Sequence, residues 1–467
     1  MKNRNIIIKT STQKQKTNNA VSKAVPFTVI MLGVVSLFTD AASEMIYPLI
    51  PVYIAALGSG AIILGIIEGV AETTAAMLKL ITGIISDKFG KRKILVLIGY
   101  SISTIARPFT GIVSNAWQII IIRMFDRVGK GIRSAPRDAL IASSVNEQIR
   151  GKAYGFHRAM DHAGAVIGPV LATSALLILI LLFGVKEPLT ALRWTFILSI
   201  IPGTLAVLTI VFFIKETKSK VNKTKQFRFS LKDFDKNFIN YLFILVLFTL
   251  GNSSDAFLLF RVEEAIHKSG AVVDFVNSIK PFHEMVSGFG DKKMQSQLIN
   301  LLFLPLIWGF FHIIKVLFST PFSALSDKIG RKITINIGWA IYTFVYLSFA
   351  VLHFLPSKIQ IVTTFILFAV YALFYAFSEG TEKAFVADIV NEKTRGSAFG
   401  MYNFAIGISA LPASIIFGFI YSYFNKVFPG LGGTIAFCFG GTIALISMIL
   451  LSIMVKEPKK IQNNSLV

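Results

Sequence analysis

Five long stretches of the sequence contain no aspartate, glutamate, lysine or arginine. A transmembrane helix needs about 20 mostly apolar residues, and each stretch has at least that many. Only 15% of all residues are charged, against about 25% in soluble domains. The chain is therefore predicted to be an all-α polytopic membrane protein rather than a soluble one. The five stretches are residues 163–185, 194–214, 333–357, 399–425 and 427–455.

The hydropathy pattern predicts twelve transmembrane spans. Several of them carry a few charges but are otherwise apolar, and the fourth and tenth end in polar sequence. The predicted spans are residues 28–55, 61–83, 94–114, 116–136, 154–183, 194–214, 238–260, 297–320, 333–354, 360–381, 398–423 and 433–455.

Lysine and arginine are unevenly distributed between the connecting segments, and the net charge is +22. Cytoplasmic loops of membrane proteins carry the excess of these residues, so both termini are predicted to be cytoplasmic. This uneven distribution accounts for most of the positive net charge, so the charge does not indicate nucleic-acid binding. A disordered tail over residues 1–25 is favoured over a transit peptide. The basic segments lie within residues 1–25, 88–93, 215–236, 328–332 and 456–467.

Polar residues repeat at fixed offsets in the two halves. Residues 138–155 match residues 383–400 at an offset of 245, and residues 86–92 match 326–332 at an offset of 240. Parallel internal repeats of this kind predict two pseudo-symmetric six-helix bundles. They cover residues 26–214 and 237–455, joined by a basic cytoplasmic linker over 215–236 and followed by a cytoplasmic tail over 456–467.

One segment has no counterpart in the other half. Residues 262–296 are predicted to form a long connection on the outer side, between the seventh and eighth spans. It holds both acidic and basic residues. Either one or two amphipathic helices or a solvated loop fits this composition.

Two related motifs lie in the loops between the second and third spans and between the eighth and ninth. The sequences Gly83-Ile-Ile-Ser-Asp87-Lys-Phe-Gly90-Lys-Arg92 and Ser323-Ala-Leu-Ser-Asp327-Lys-Ile-Gly330-Arg331 resemble the loop signature of the major facilitator superfamily (MFS). In that family the loop latches the two halves in the outward-facing state. The resemblance implies such a role for Gly83, Asp87, Gly90, Arg92, Asp327, Gly330 and Arg331. Glycines 90 and 330 allow a tight turn.

The fifth span contains Gly164-Ala-Val-Ile-Gly168-Pro169, which resembles the antiporter signature of the same family. Glycines four residues apart allow close helix packing, so a plain packing face is the alternative. The run from Arg123 to Asp138 is similar to that of an uncharacterised bacterial branch of the family.

Ionisable side chains occur within the predicted spans, where they are costly and usually functional. Pairing between these residues for structure alone is the alternative for each of them. Arg107 and Arg158 are expected to reach towards the membrane faces. The candidates for proton coupling are Asp40, Glu44, Glu72, Asp161, His312 and Glu379. The candidates for the substrate cavity are Arg123, Asp126, Arg127, Lys130, Asn252, Asp255, Trp308 and Lys315.

The resemblance implies a secondary transporter in which two halves rock about a midplane site. We expect a monomer in the bacterial cytoplasmic (inner) membrane, with protons as coupling ion and export of a small amphiphilic or anionic organic compound. Proton-coupled uptake of a metabolite or metal chelate is the first alternative, and a non-transporting sensor or scaffold is the second. No P-loop, zinc-protease or nucleophile-elbow motif is present, so no enzyme activity, cofactor or metal site is expected. The single cysteine, Cys438, likewise gives no disulfide framework.

Overall fold

The computed structural model of the chain describes residues 25–89, 92–145, 150–216, 234–269, 292–390 and 394–457. Within these ranges the regular structure is helical, and we number the helical segments α1 to α12. The segments are α1a (Phe27–Glu44), α1b (Ile50–Ala56), α2 (Ala61–Phe89), α3 (Arg92–Ala106), α4 (Ala116–Ser143), α5 (Arg150–Leu181), α6a (Pro188–Leu198), α6b (Ile200–Phe213), α7a (Lys236–Gly251), α7b (Ala256–Ser269), α8 (Lys292–Ile329), α9 (Arg331–Val351), α10 (Ser357–Ile389), α11 (Arg395–Val427) and α12 (Gly432–Met454).

Helices lie at all twelve predicted spans, and among the described residues eleven of them are long and apolar enough to cross a membrane. The exception, α4, carries seven charged residues between 116 and 143. It starts with a capping box in which the side chains of Asn115 and Gln118 each accept from the other's backbone N–H. The fourth and tenth spans, which end in polar sequence, continue as helix through these ends.

Five pairs of packed helices in the first half have a counterpart in the second half. Segments α1 and α5, α1 and α6, α2 and α4, α3 and α4, and α3 and α6 are in contact. The equivalent contacts are α7 with α11, α7 with α12, α8 with α10, α9 with α10, and α9 with α12. The predicted fold of two pseudo-symmetric six-helix bundles is thereby confirmed.

The bundles meet mainly along α2 and α11 and along α5 and α8. Glycines line the α2–α11 seam because the two backbones nearly touch there. A Cβ added at Gly418 would lie 2.6 Å from the carbonyl oxygen of Ala61. The Thr73 hydroxyl donates to the carbonyl oxygen of Gly407 at 2.7 Å. Small residues are what permits such an approach between membrane helices.

Segment α6 is divided only at Ser199, whereas α1 and α7 have longer breaks. Segment α1 is interrupted at residues 45–49, which include Pro48, and α7 is interrupted at residues 252–255. Serine, asparagine and aspartate compete for backbone hydrogen bonds, and the Ser254 hydroxyl accepts from the N–H of Ala256 at 3.3 Å. The breaks face each other, with the Tyr47 and Ser254 hydroxyls 3.2 Å apart.

A glutamate joins the end of the last helix of each bundle to the start of the third. The Glu216 carboxylate accepts from the backbone N–H of Arg92 and of Lys93, both at 3.0 Å. The Glu457 carboxylate accepts from those of Arg331 and Lys332 at 2.6 and 2.8 Å. A carboxylate at a helix N-terminus satisfies free donors and the helix dipole. We call these two contacts the glutamate staples.

The long connection predicted over residues 262–296 is partly helical. Segment α7b continues to Ser269 and α8 begins at Lys292. Residues 270–291 lie outside the described ranges, as do the tail 1–24, the linker residues 217–233 and residues 458–467.

Candidate functional site

A cavity of about 650 Å³ lies between the two bundles. Residues of α1, α2, α4, α5, α7, α8, α10 and α11 line it, together with Arg107 after α3. It extends from the two breaks towards Lys79 and Asp138. These two residues are near the face at which α1 begins, at Phe27, and α12 ends, at Met454. We call this face the terminal face. On the other side, α1b packs against α7b.

Eleven of the fourteen residues predicted for proton coupling or for the substrate cavity line this cavity. Glu379 is not a lining residue but contacts one, because its carboxylate lies 3.1 Å from the Lys315 ammonium. The predicted residues that line the cavity are Asp40, Glu44, Glu72, Arg127, Lys130, Asp161, Asn252, Asp255, Trp308, His312 and Lys315.

Arg123 and Asp126 do not line the cavity, contrary to the prediction. Both are buried behind it, on the side of α4 that faces α2 and α3. Arg123 donates to Glu68 at 2.8 Å, and Arg107 donates to Asp126 at 3.0 Å. For Arg123 and Asp126 the geometry thus fits the alternative, which is pairing for structure alone. A charge that is removed from water needs such a partner. The expectation that Arg107 reaches the membrane face is also wrong, because its side chain is only 5% exposed.

The carboxylate of Glu44 connects the two bundles. The indole N–H of Trp308 on α8 donates to it at 2.7 Å. The Nε2 atom of His312 lies 3.8 Å from the same carboxylate, too far for a hydrogen bond. Glu44 therefore has one hydrogen-bond donor in the second bundle, Trp308, while His312 lies close to it without a hydrogen bond.

Asp161 lies on α5, next to the same helix α1. Its carboxylate accepts a hydrogen bond from the Ser36 hydroxyl, and the Nδ1 atom of His157 is 3.6 Å away. The Glu72 carboxylate is paired with Arg127 at 3.0 Å. Of the carboxylates predicted for proton coupling, Asp161 and Glu72 are thus anchored inside the first bundle.

The glycines of the antiporter-like motif allow α5 to pack closely against the turns of α1 that bear Asp40 and Glu44. A Cβ at Gly164 would lie 3.0 Å from the Cβ of Asp40, and one at Gly168 would lie 2.6 Å from the Cβ of Glu44. Close packing at this motif is what the glycine spacing predicts. Pro169 follows within α5 and faces Gly309 of α8.

The second bundle contributes an aromatic wall and a carboxylate. The Asp255 carboxylate accepts from the hydroxyls of Tyr371 at 2.6 Å and Tyr375 at 2.8 Å. The Lys315 ammonium lies 4.1 Å from the centre of the Tyr375 ring. This is a favourable cation–π distance.

The mouth of the cavity has an ion pair between the bundles. Arg158 of α5 pairs with Glu379 of α10, and the Lys383 ammonium is 4.0 Å from the same carboxylate. Arg158 was expected to reach towards the membrane face and instead bridges the mouth. Glu379 is consequently shared by three cations.

The latch residues are only partly described. Gly90 lies outside the described ranges, and Gly83 and Asp87 lie in a part of α2 whose side chains are not described. Arg92 donates to the carbonyl oxygen of Ala139 at 3.1 Å. Arg331 pairs with Asp327 and with Asp388, at 2.5 and 3.1 Å. Gly330 has a φ of 106°, so the turn does require glycine.

Sequence reasoning missed several polar residues. The buried carboxylate of Glu382 accepts from the Trp339 indole at 3.1 Å and the Tyr402 hydroxyl at 2.8 Å. It gave no separate signal because it lies at the polar end of the tenth span. The glutamate staples did have a signal, since a Lys-Glu pair follows the last span of both halves, at Lys215-Glu216 and Lys456-Glu457.

Comparison with known proteins gives consistent matches along the chain. A family model described as Major Facilitator Superfamily matches residues 32–279 and 269–466. An uncharacterised MFS-type transporter of Methanocaldococcus jannaschii is 33% identical over 96% of this chain and 99% of its own length. A multidrug resistance efflux pump of Streptococcus pneumoniae is 29% identical over 40% of this chain and 45% of that protein. The crystal structure of a nucleoside transporter aligns with a TM-score of 0.69 at 14% identity, covering 92% of this chain and all of that one.

Proposed function

Because the chain belongs to the major facilitator superfamily of transporters, we propose that it is a proton-coupled exporter of a small amphiphilic or anionic organic compound. The two bundles would rock about the central cavity and expose it to each side of the membrane in turn. The protein would act as a monomer in the cytoplasmic membrane.

The observation that carries the proposal is the contact between Glu44 and Trp308 across the two bundles. An ionised carboxylate is a much stronger hydrogen-bond acceptor than a protonated one. A proton that binds Glu44 therefore weakens a contact between the two moving parts. This links proton binding to the rocking motion, with Glu72 and Asp161 as further proton acceptors in the same cavity.

The charge distribution supports a cytoplasmic position for the terminal face. The described residues of the basic segments lie at this face, which the positive-inside rule assigns to the cytoplasm. They include Arg92, Lys93, Lys215, Lys328, Arg331, Lys332 and Lys456. The cavity extends towards it, as an exporter needs in order to load from the cytoplasm. The similarity to a multidrug efflux pump over part of the chain also favours export.

Transport in everted membrane vesicles tests the proton coupling. Collapse of the proton gradient should stop substrate movement, and the triple variant Glu44→Gln, Glu72→Gln, Asp161→Asn should no longer respond to the gradient. Asp235→Asn, an exposed carboxylate that makes no cap hydrogen bond, is the matched control. Transport by the triple variant at the rate of the control would remove the basis for the proposal.

Substrate and direction require whole cells. Metabolite profiles inside and outside are compared between cells with the wild type and with Asp87→Asn, a change in the latch motif. A compound enriched outside only with the wild type identifies an exported substrate. Enrichment inside would favour the uptake alternative, and identical profiles would favour the sensor or scaffold.

A further inference from the structure

All but one of the described carboxylates that line the cavity have a hydrogen-bond or ion-pair partner. Glu44 accepts from Trp308, Asp255 accepts from two tyrosines, and Asp161 accepts from a serine. Glu68, Glu72 and Asp138 are each paired with an arginine. Among the described lining residues, Asp40 is the only carboxylate whose side chain has no such contact.

Several cationic side chains of the first bundle that line the cavity have no carboxylate partner in the described part of the chain. Over the described residues, no carboxylate oxygen lies within 4.0 Å of the ammonium groups of Lys79 or Lys130, although both line the cavity. The Arg133 guanidinium donates to the Ser103 hydroxyl at 2.6 Å and stacks over Tyr100, but it has no carboxylate partner. Among the described lining residues, three cations of the first bundle thus lack a carboxylate oxygen within 4.0 Å, and one carboxylate lacks a contact of its own.

The second bundle adds an unsatisfied group of its own. Both ring nitrogens of His312 lack a hydrogen-bond partner in the described structure, and the side chain is buried in the cavity lining. A buried polar atom without a partner needs an explanation, such as a ligand that completes its hydrogen bonds. His312 lies beside Trp308, with ring centres 4.9 Å apart.

The same part of the cavity offers an aromatic surface. Tyr47 and Trp308 have ring centres 5.2 Å apart, and Tyr375 also lines the cavity. Ligand pockets of about 300–1,000 Å³ commonly combine such apolar surface with a few placed polar groups. A cavity of about 650 Å³ falls within this range.

We propose that the substrate is an organic anion with a ring-bearing apolar body, and that Lys130 determines its selection. The carboxylate, sulfonate or phosphate group binds Lys130, with Lys79 and Arg133 on the same wall. The apolar body lies against Trp308 and Tyr375, and His312 completes the polar contacts. This inference rests on the proposed function. It narrows the substrate class to organic anions and excludes amphiphilic cations.

Binding of matched probes to the purified full-length protein tests the charge preference. Equilibrium dialysis compares 1-naphthoate, 1-naphthalenesulfonate and 1-naphthyl phosphate with N,N,N-trimethyl-1-naphthylammonium, which carries the same ring and the opposite charge. At least one anion should bind tenfold or more tightly than the ammonium. The anion should lose roughly tenfold to a hundredfold in affinity on Lys130→Gln, as expected for a charge-assisted hydrogen bond.

Two further variants separate the charge effect from a folding defect. Lys130→Arg keeps the positive charge and should retain most of the affinity. Lys186→Gln removes an exposed lysine that does not line the cavity and should leave binding unchanged. Binding of none of the three anions, a preference for the ammonium, or anion binding that Lys130→Gln does not weaken would overturn the inference.

Transport of the same probes in proteoliposomes distinguishes this inference from the proposed function. Movement of the ammonium but of no anion would overturn the anion class and leave the transporter in place. Anion binding that depends on Lys130 but is never followed by movement would support the site and contradict transport.

Discussion

Replacement of Gly168 by alanine should disturb the position of Glu44 from the neighbouring helix. The added Cβ would lie 2.6 Å from the Cβ of Glu44 and 2.8 Å from the carbonyl oxygen of Ala41. Carbon atoms in contact are about 3.5–4.0 Å apart. Helices α1 and α5 must therefore separate by roughly 1 Å at this point.

The separation has a cost in stability and a cost in function. Overpacking of this kind costs about 1–3 kcal/mol. A shift of roughly 1 Å would also stretch the 2.7 Å bond between Glu44 and the Trp308 indole beyond hydrogen-bond range. We expect Gly168→Ala to lower the thermal unfolding temperature and to reduce gradient-driven transport.

Gly155→Ala provides a control in the same helix. A Cβ at Gly155 would meet no atom within 4 Å in the described structure. Glycine to alanine at such a helical position stabilises by about 0.4–1 kcal/mol. Unfolding followed by fluorescence in detergent should therefore place Gly168→Ala below the wild type and Gly155→Ala above it. Transport in vesicles should fall only for Gly168→Ala. Equal stability and full transport for both would refute the argument from packing.

Three further predictions concern contacts elsewhere in the fold. Glu457→Ala removes the acceptor from two N–H groups at the start of α9 and should destabilise the second bundle by about 1 kcal/mol, seen as a lower unfolding temperature; an unchanged temperature would contradict this. Arg123→Gln leaves Glu68 buried without its cation and should cost about 3–5 kcal/mol; adding Glu68→Gln should restore much of it in a double-mutant cycle, and additive losses would argue against the pair. Arg158→Gln breaks the ion pair at the mouth, so a cysteine at Ala165 in a cysteine-free background should react faster with a bulky maleimide; an equal rate would show that the pair does not restrict entry.

The sequence was sufficient to predict the fold because the signals are long and redundant. Twelve apolar stretches and two aligned repeats define the helices and their grouping without any knowledge of side-chain contacts. Even α4, with its seven charges, is predictable from its place between apolar spans. The breaks in α1 and α7 were not predicted, although Pro48 and the Gly251–Asp255 run lie there, because hydropathy does not distinguish a bent span from a straight one.

The site was predicted less completely than the fold. The sequence shows how far along a span a charged residue lies, but not towards which neighbouring helix its side chain points. Arg123 and Arg127 lie one helical turn apart on α4, and both were assigned to the cavity. The structure directs Arg127 towards it and turns Arg123 towards Glu68. Lys130 lies in the same charged run, and its lack of a carboxylate partner depends on where α1, α2 and α5 place their acidic residues. That information is in the packing of helices and not in their spacing along the chain.

The two glutamate staples have a consequence for the history of this chain. Each closes its own bundle, because Glu216 holds the start of α3 and Glu457 holds the start of α9 in the same way. A gene that doubled would pass on such a fastening in both copies, at equivalent positions and with the same neighbours. Two bundles fastened in the same way at equivalent positions are what the duplication of one six-helix unit would produce.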